Sequence, residues 1–184
     1  ADGSVNVTFN LVVENFSIET LIDVSVTDQL SGADPRFGTY VALANPNTDP
    51  LANGFYTIVA APSGNCGVEN SGYDGNIDQV LVTGGNLDPG DVCTVSFGLR
   101  VTPTAAQLAN GFENQATVTA EGELSGQTSD GPDGNPQLTD DSDNGVEPDA
   151  NDNGQGNEPG ENDPTPIPLD FESSIALVKF ADLT

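Results

Sequence analysis

The stretch Val5-Asn6-Val7-Thr8-Phe9-Asn10-Leu11-Val12-Val13 alternates apolar and polar residues at period two. Val5, Val7, Phe9, Leu11 and Val13 fall on one face, with Asn6, Thr8 and Asn10 on the other. Successive side chains of a strand point to opposite sides, so this is a half-buried β-strand. Leu21 to Leu30 does the same with Ile22, Val24 and Val26. Further strand-like runs are Phe55 to Val59, Ile77 to Val82, Val92 to Val101, Ala116 to Ala120 and Ile175 to Phe180. Strand-forming Val, Thr and Phe dominate them. Turn residues separate them: Asp34-Pro35, Asn53-Gly54, Gly84-Gly85 and Asp88-Pro89-Gly90. One short helix is expected over Thr104 to Asn110. About seven strands so punctuated predict an all-β fold, an Ig-like Greek-key β-sandwich. The patterned sequence, residues 1–120, is long enough to bury one sandwich core.

The charge balance narrows the function. The 184 residues carry 29 acidic side chains against 3 basic ones, a formal net charge of -26. Such a surface repels a phosphate backbone and argues against nucleic-acid binding. It argues equally against attachment to anionic lipid. No run approaches the roughly 18 apolar residues of a spanning helix, so membrane insertion is not expected. Histidine is absent, which removes the commonest general base and zinc ligand. Paired carboxylates could in principle hydrolyse glycosides. With no Trp and few aromatics, however, there is little platform for a sugar, so an enzyme is not expected. Methionine is also absent and the chain starts at Ala1, which reads as a processed product or a segment of something longer.

Composition changes near Glu121. Residues 121–172 hold 15 of the 29 acidic residues and no Lys or Arg. The plain reading is a solvated acidic linker. Against it stands the mixture of Asp, Asn and Gly at short alternating spacings, which suits turns that aim oxygen ligands inward. Asp149-Ala150-Asn151-Asp152-Asn153-Gly154 matches the opening half of an EF-hand-like calcium loop. Gly160 stands where the twelfth-position Glu belongs, with Glu161 one residue late, so this is not an EF-hand. Similar clusters surround it, around Asp130 and Asp133, and around Asp140, Asp141, Asp143 and Asn144. Glu158, Glu161 and Asp163 follow. Calcium takes 6–8 hard oxygen ligands in flexible geometry, whereas magnesium keeps its waters. Calcium is therefore the expected cofactor, bound by Asp130, Asp133, Asp140, Asp141, Asp143, Asn144, Asp149, Asn151, Asp152, Asn153, Glu158, Glu161 and Asp163. Cation binding would neutralise the crowded carboxylates and order the segment.

Cys66 and Cys93 are the only thiols. An even count, each beside a turn next to a strand, predicts one disulfide tying the Gly/Asn-rich loop Asn65 to Asn76 to a neighbouring strand. The alternative is two buried cysteines that never meet. A redox role is not expected, because there is no CxxC spacing and no basic neighbour. Two N-x-[ST] triplets, Asn6-Val7-Thr8 and Asn15-Phe16-Ser17, permit glycosylation, although the triplet is common by chance.

Several motifs occur in a particular order. They include Val7-Thr8-Phe9-x-Leu11-x-Val13-x-Asn15, Val24-x-Val26-Thr27-Asp28-x-Leu30, Leu87-x-Pro89-Gly90 and Asn114-x-Ala116-Thr117-Val118. The acidic tail adds Thr139-Asp140-Asp141-Ser142-Asp143-Asn144-Gly145 and Asn162-Asp163-Pro164-Thr165-Pro166. In this order the sequence resembles the tandem-repeat Ig-like sandwich domains of large bacterial and archaeal surface proteins. Repeats of that family open with a segment like Ser174-Ile175-x-Leu177-x-Lys179-x-Ala181-Asp182. Here that segment, within residues 173–184, closes the chain. Joining Thr184 to Ala1 gives a natural strand-turn-strand. The resemblance implies one repeat of an array, or a separate subunit whose last strand, with Ile175, Leu177 and Phe180, completes the open sheet of a neighbouring copy. Either contact is head-to-tail and builds a filament. The alternative is a self-contained domain whose last strand folds back on its own sheet.

The expected function is a structural extracellular module of the cell surface, polymerised with copies of itself and stiffened by calcium. The alternative is an adhesin domain that binds a glycan or host surface through the loop Cys66 to Asn76, with Tyr73.

Overall fold

The computed structural model describes residues 3–33, 35–124, 138–145, 148 and 162–169. Alternation makes the first strand. β1 (Val5–Glu14) pairs antiparallel with β7 (Val92–Thr102) in unbroken register from Val5 opposite Val101 to Glu14 opposite Val92. The other edge of β7 takes β4 (Phe55–Gly64), and β4 carries the short parallel strand β3 (Thr39–Tyr40). This four-stranded sheet runs β1-β7-β4-β3.

A second sheet is centred on β2 (Leu21–Asp28). β2 lies between β6 (Val80–Leu87) and β9 (Ala116–Gly122), with β5 (Val68–Glu69) beyond β6 and β10 (Thr139–Asp141) beyond β9. A two-stranded ladder joins β8 (Phe112–Asn114) to β11 (Thr165–Ile167). The one helix among the described residues, α1 (Ala105–Asn110), starts where the sequence predicts. Thr104 caps it and exchanges bonds with Gln107, a capping box that satisfies two orphan amide donors.

The inner faces of both sheets share one core. Phe9, Val95, Phe97 and Leu99 come from the first sheet, and Val24, Val26, Leu81 and Val82 from the second. The fold is thus all-β and sandwich-like. Phe9 stacks on Phe97 with centroids 5.0 Å apart, and Phe37 lies 4.7 Å from Phe112. Offset and tilted pairs of this kind add about 0.5–1.5 kcal/mol beyond the area they bury.

Three details differ from the reading of the sequence. Gly84-Gly85 lies inside β6 and makes a bulge, not a turn. Gly84 has φ 68, and a Cβ on Gly85 would sit 1.7 Å from the Cys66 carbonyl oxygen. The run beginning at Ile77 starts as a strand only at Val80; Ile77 is exposed, because Asp74 Oδ1 accepts the amides of Asn76 and Asp78 and closes a turn there. A strand that no alternation in the sequence marks, β11, runs through the Pro-rich stretch Asp163 to Pro168. Pro166 is tolerated there because an edge position needs no donor on its outer side.

Candidate functional site

The alternation of β2 carries Val24, Val26 and then Asp28 to the inner face. Asp28 is consequently buried, at 2% exposure. Phe112 and Asn114 follow the same parity in β8, and Asn114 is buried too. The two meet: Asn114 Nδ2 donates to Asp28 Oδ2 at 2.7 Å. Asp28 Oδ1, Asn114 Oδ1 and the Tyr73 hydroxyl have no hydrogen-bond partner among the described residues. Burial raises the Asp28 carboxyl from 3.8 to about 7, against the opposing pull of the Asn114 bond and the Arg36 charge. The Tyr73 and Tyr56 hydroxyls are also pushed up, first by burial and then by nearby carboxylate charge. An open cleft of about 340 Å³ is lined by Arg36, Asn114, Gln115 and Pro164; Asp28 itself does not line it. A carboxyl raised to about 7 exchanges its proton near neutral pH, here beside a side-chain amide. The parity of Asp28 with Val24 and Val26 was the signal that could have found it in the sequence.

Tyr73 does not serve the loop surface. It is 3% exposed, and its ring stands edge-on to Phe97 with centroids 5.2 Å apart. The loop Cys66 to Asn76 therefore lacks the aromatic that would have contacted a ligand. Cys66 and Cys93 form the expected disulfide, both buried, with Cα atoms 5.0 Å apart. Asn15 is not open to glycosylation, being 1% exposed. Its Nδ2 donates to the carbonyls of Glu19 and Leu87, and its Oδ1 accepts the Ser17 amide.

The acidic segment is tied to the sandwich at two places. Asp140 and Asp141 lie in β10, on opposite faces of an edge strand. The Thr117 hydroxyl donates to Asp141 Oδ1 at 2.6 Å. Asp143 Oδ1 accepts the Asn144 amide, and the Asp143 carbonyl accepts the Thr165 hydroxyl at 3.5 Å. Asp163 sits just before β11, beside Asn162, whose carbonyl accepts Gln115 Nε2 at 2.7 Å. Asp130, Asp133, Asp149, Asn151, Asp152, Asn153, Glu158 and Glu161 lie outside the described residues, as do Ile175, Leu177 and Phe180. Among the described residues no three acidic or other metal-ligating side chains gather. No helix among them is long and apolar enough to cross a membrane.

Among the described residues the first sheet ends in β1, which pairs with β7 on one side only. Along it Val5, Val7, Leu11 and Val13 are only partly buried, although they pack on the core. Compared with known proteins, the chain matches no family model, no curated protein and no solved structure.

Proposed function

We propose that this chain is a structural, non-catalytic module of Ig-like Greek-key type, built for an extracellular surface fibre or stalk. Copies join head-to-tail, as repeats of one chain or by strand addition between subunits. The observation that carries this reading is that, among the described residues, β1 is paired on one side only. Among those residues no strand pairs with its outer edge, which runs beside half-covered Val5, Val7, Leu11 and Val13. An apolar strand laid along that edge would satisfy both needs at once. The run Ile175 to Phe180 has the length and the pattern to do so. The contact is heterologous and does not close, so it propagates.

Calcium is part of this proposal. Its support is the Asp/Asn/Gly spacing of residues 130–163, together with the tethering of that segment through β10 and β11. A cation that joins the intervening carboxylates would stiffen a stretch whose ends are already held. The disulfide suits an oxidising, extracellular setting.

Deleting residues 174–184 tests the assembly. We expect the truncated chain to stay folded and monomeric in light scattering while the full chain forms filaments by negative stain. Adding a peptide of sequence Ser174 to Asp182 should give a one-to-one complex with the truncated chain. Filaments formed by the truncated chain, or no complex with the peptide, would refute strand addition.

A further inference from the structure

The loop that follows β1 is tied down at several points, yet its tip is apolar and bare. Asn15 Nδ2 donates to the Glu19 and Leu87 carbonyls, and the Ser17 hydroxyl donates to the Glu19 carbonyl at 2.7 Å. Between Ser17 and Glu19 stands Ile18, which is 99% exposed. The loop is bonded in turn to the β6–β7 turn, through Asn15 with Asp91, and to the end of β9, through Thr20 with Glu123. Phe16, Val92 and Leu124 therefore share this end of the sandwich, and all three are exposed. One exposed apolar side chain is ordinary, but four together on hydrogen-bonded backbone make an interaction surface. Glu19, Asp88, Asp91 and Glu123 lie in the same three segments, so the apolar group has an acidic rim.

β7 runs from this end to the other, eleven residues or roughly 35 Å away. There a cleft of about 570 Å³ opens, with Ser31, Thr39, Gly54, Asn76, Thr104 and Gln107 in its wall. In a chain of formal charge -26, none of its ten described lining residues is charged. Leu108 and Ile77, next in sequence to Gln107 and Asn76, are exposed and apolar. Arg36 and Glu113, of opposite charge, line the adjoining cleft.

We propose that these two ends are the halves of one contact between copies, in which Ile18 and its apolar neighbours on one copy seat in the uncharged cleft of the next. This rests on the head-to-tail reading but not on residues 174–184, since every residue it uses belongs to the described sandwich. The halves lie at opposite ends, so the contact is heterologous and each added copy presents a fresh half. Ile18 is held by its loop before it docks, which keeps the ordering cost small. Electrostatics chooses the occupant. Two acid-rimmed ends facing each other would set like charges together, whereas the neutral cleft does not repel them.

Two substitutions in the full-length chain test the contact, Ile18→Asp on one half and Thr39→Asp on the other. Both positions are exposed, so each variant should keep the native circular dichroism spectrum. Each should raise the concentration needed for association by about tenfold or more in light scattering. Mixed in equal amounts where each alone is monomeric, the two variants should form a dimer and nothing longer, because one intact half remains on each. Filaments of native length from Ile18→Asp would overturn this contact and leave strand addition standing. A self-dimer of either variant would mean a symmetric contact and would overturn it too. A native chain that stays monomeric at every concentration would overturn both this contact and the head-to-tail reading.

Discussion

Asn15 shows how much one polar side chain holds. It joins the end of β1 to the turn between β6 and β7, where its own backbone also exchanges bonds with Gly90 and Asp91. Asn15→Ala strands buried carbonyls and an amide, and should cost about 2–3 kcal/mol in urea denaturation. Asp28 acts in the opposite direction. Its folded-state value, about 7, lies above the unfolded 3.8, so the folded chain binds the extra proton between those values. Its contribution is most favourable at low pH and is lost as pH rises through about 7. Stability should therefore fall from pH 4 to pH 8. Asp28→Asn should flatten that slope by an amount on the order of a few kcal/mol. An unchanged slope would mean that Asp28 is not the titrating group. Neither residue was legible as buried from its type alone, since Asn and Asp are exposed by default. The strand parity was legible, and for Asp28 it pointed inward.

Element by element, legibility followed the size of the apolar face. β1, β2 and β7 were readable because each buries one row of side chains and the alternation survives in the text. β10 and β11 were not, because Thr-Asp-Asp and Thr-Pro-Ile carry no alternation. Their pairing comes from the edges that β9 and β8 offer. β6 was half-read, since its diglycine looks like punctuation and serves as a bulge. The close pass of the Cys66 backbone over Gly85 is the physical reason for that glycine. Gly85→Ala should therefore destabilise by about 3 kcal/mol, read as a lowered melting temperature. Gly90→Ala meets no atom within 4 Å and pays only for its φ of 78. It should cost about 1 kcal/mol. The disulfide closes a separation of 27 residues between the loop after β4 and β7. Its reduction should remove about 3.5 kcal/mol by the loop-entropy estimate, measured as a shift of the urea midpoint.

At the scale of the whole molecule the acids matter collectively. With a formal charge of -26, the chain repels itself wherever counterions are few. Under the calcium proposal, a chelator should lower the melting temperature most at low ionic strength, and added calcium should restore it more effectively than magnesium at equal concentration. Equal rescue by both ions would point to screening alone and count against specific sites. The class of fold was legible in the sequence and the buried Asp28–Asn114 pair was not, because it depends on which strands come to lie together. The ladder between β1 and β7 has a mechanical consequence. Ten residues of β1 are matched in register from Val5 to Glu14. Tension applied to the chain at Val5 along the strand axis, with β7 held, loads that ladder in shear, so its rungs yield together and not one after another. A fibre pulled in that geometry would resist stretching far better than the modest stability of any single rung suggests.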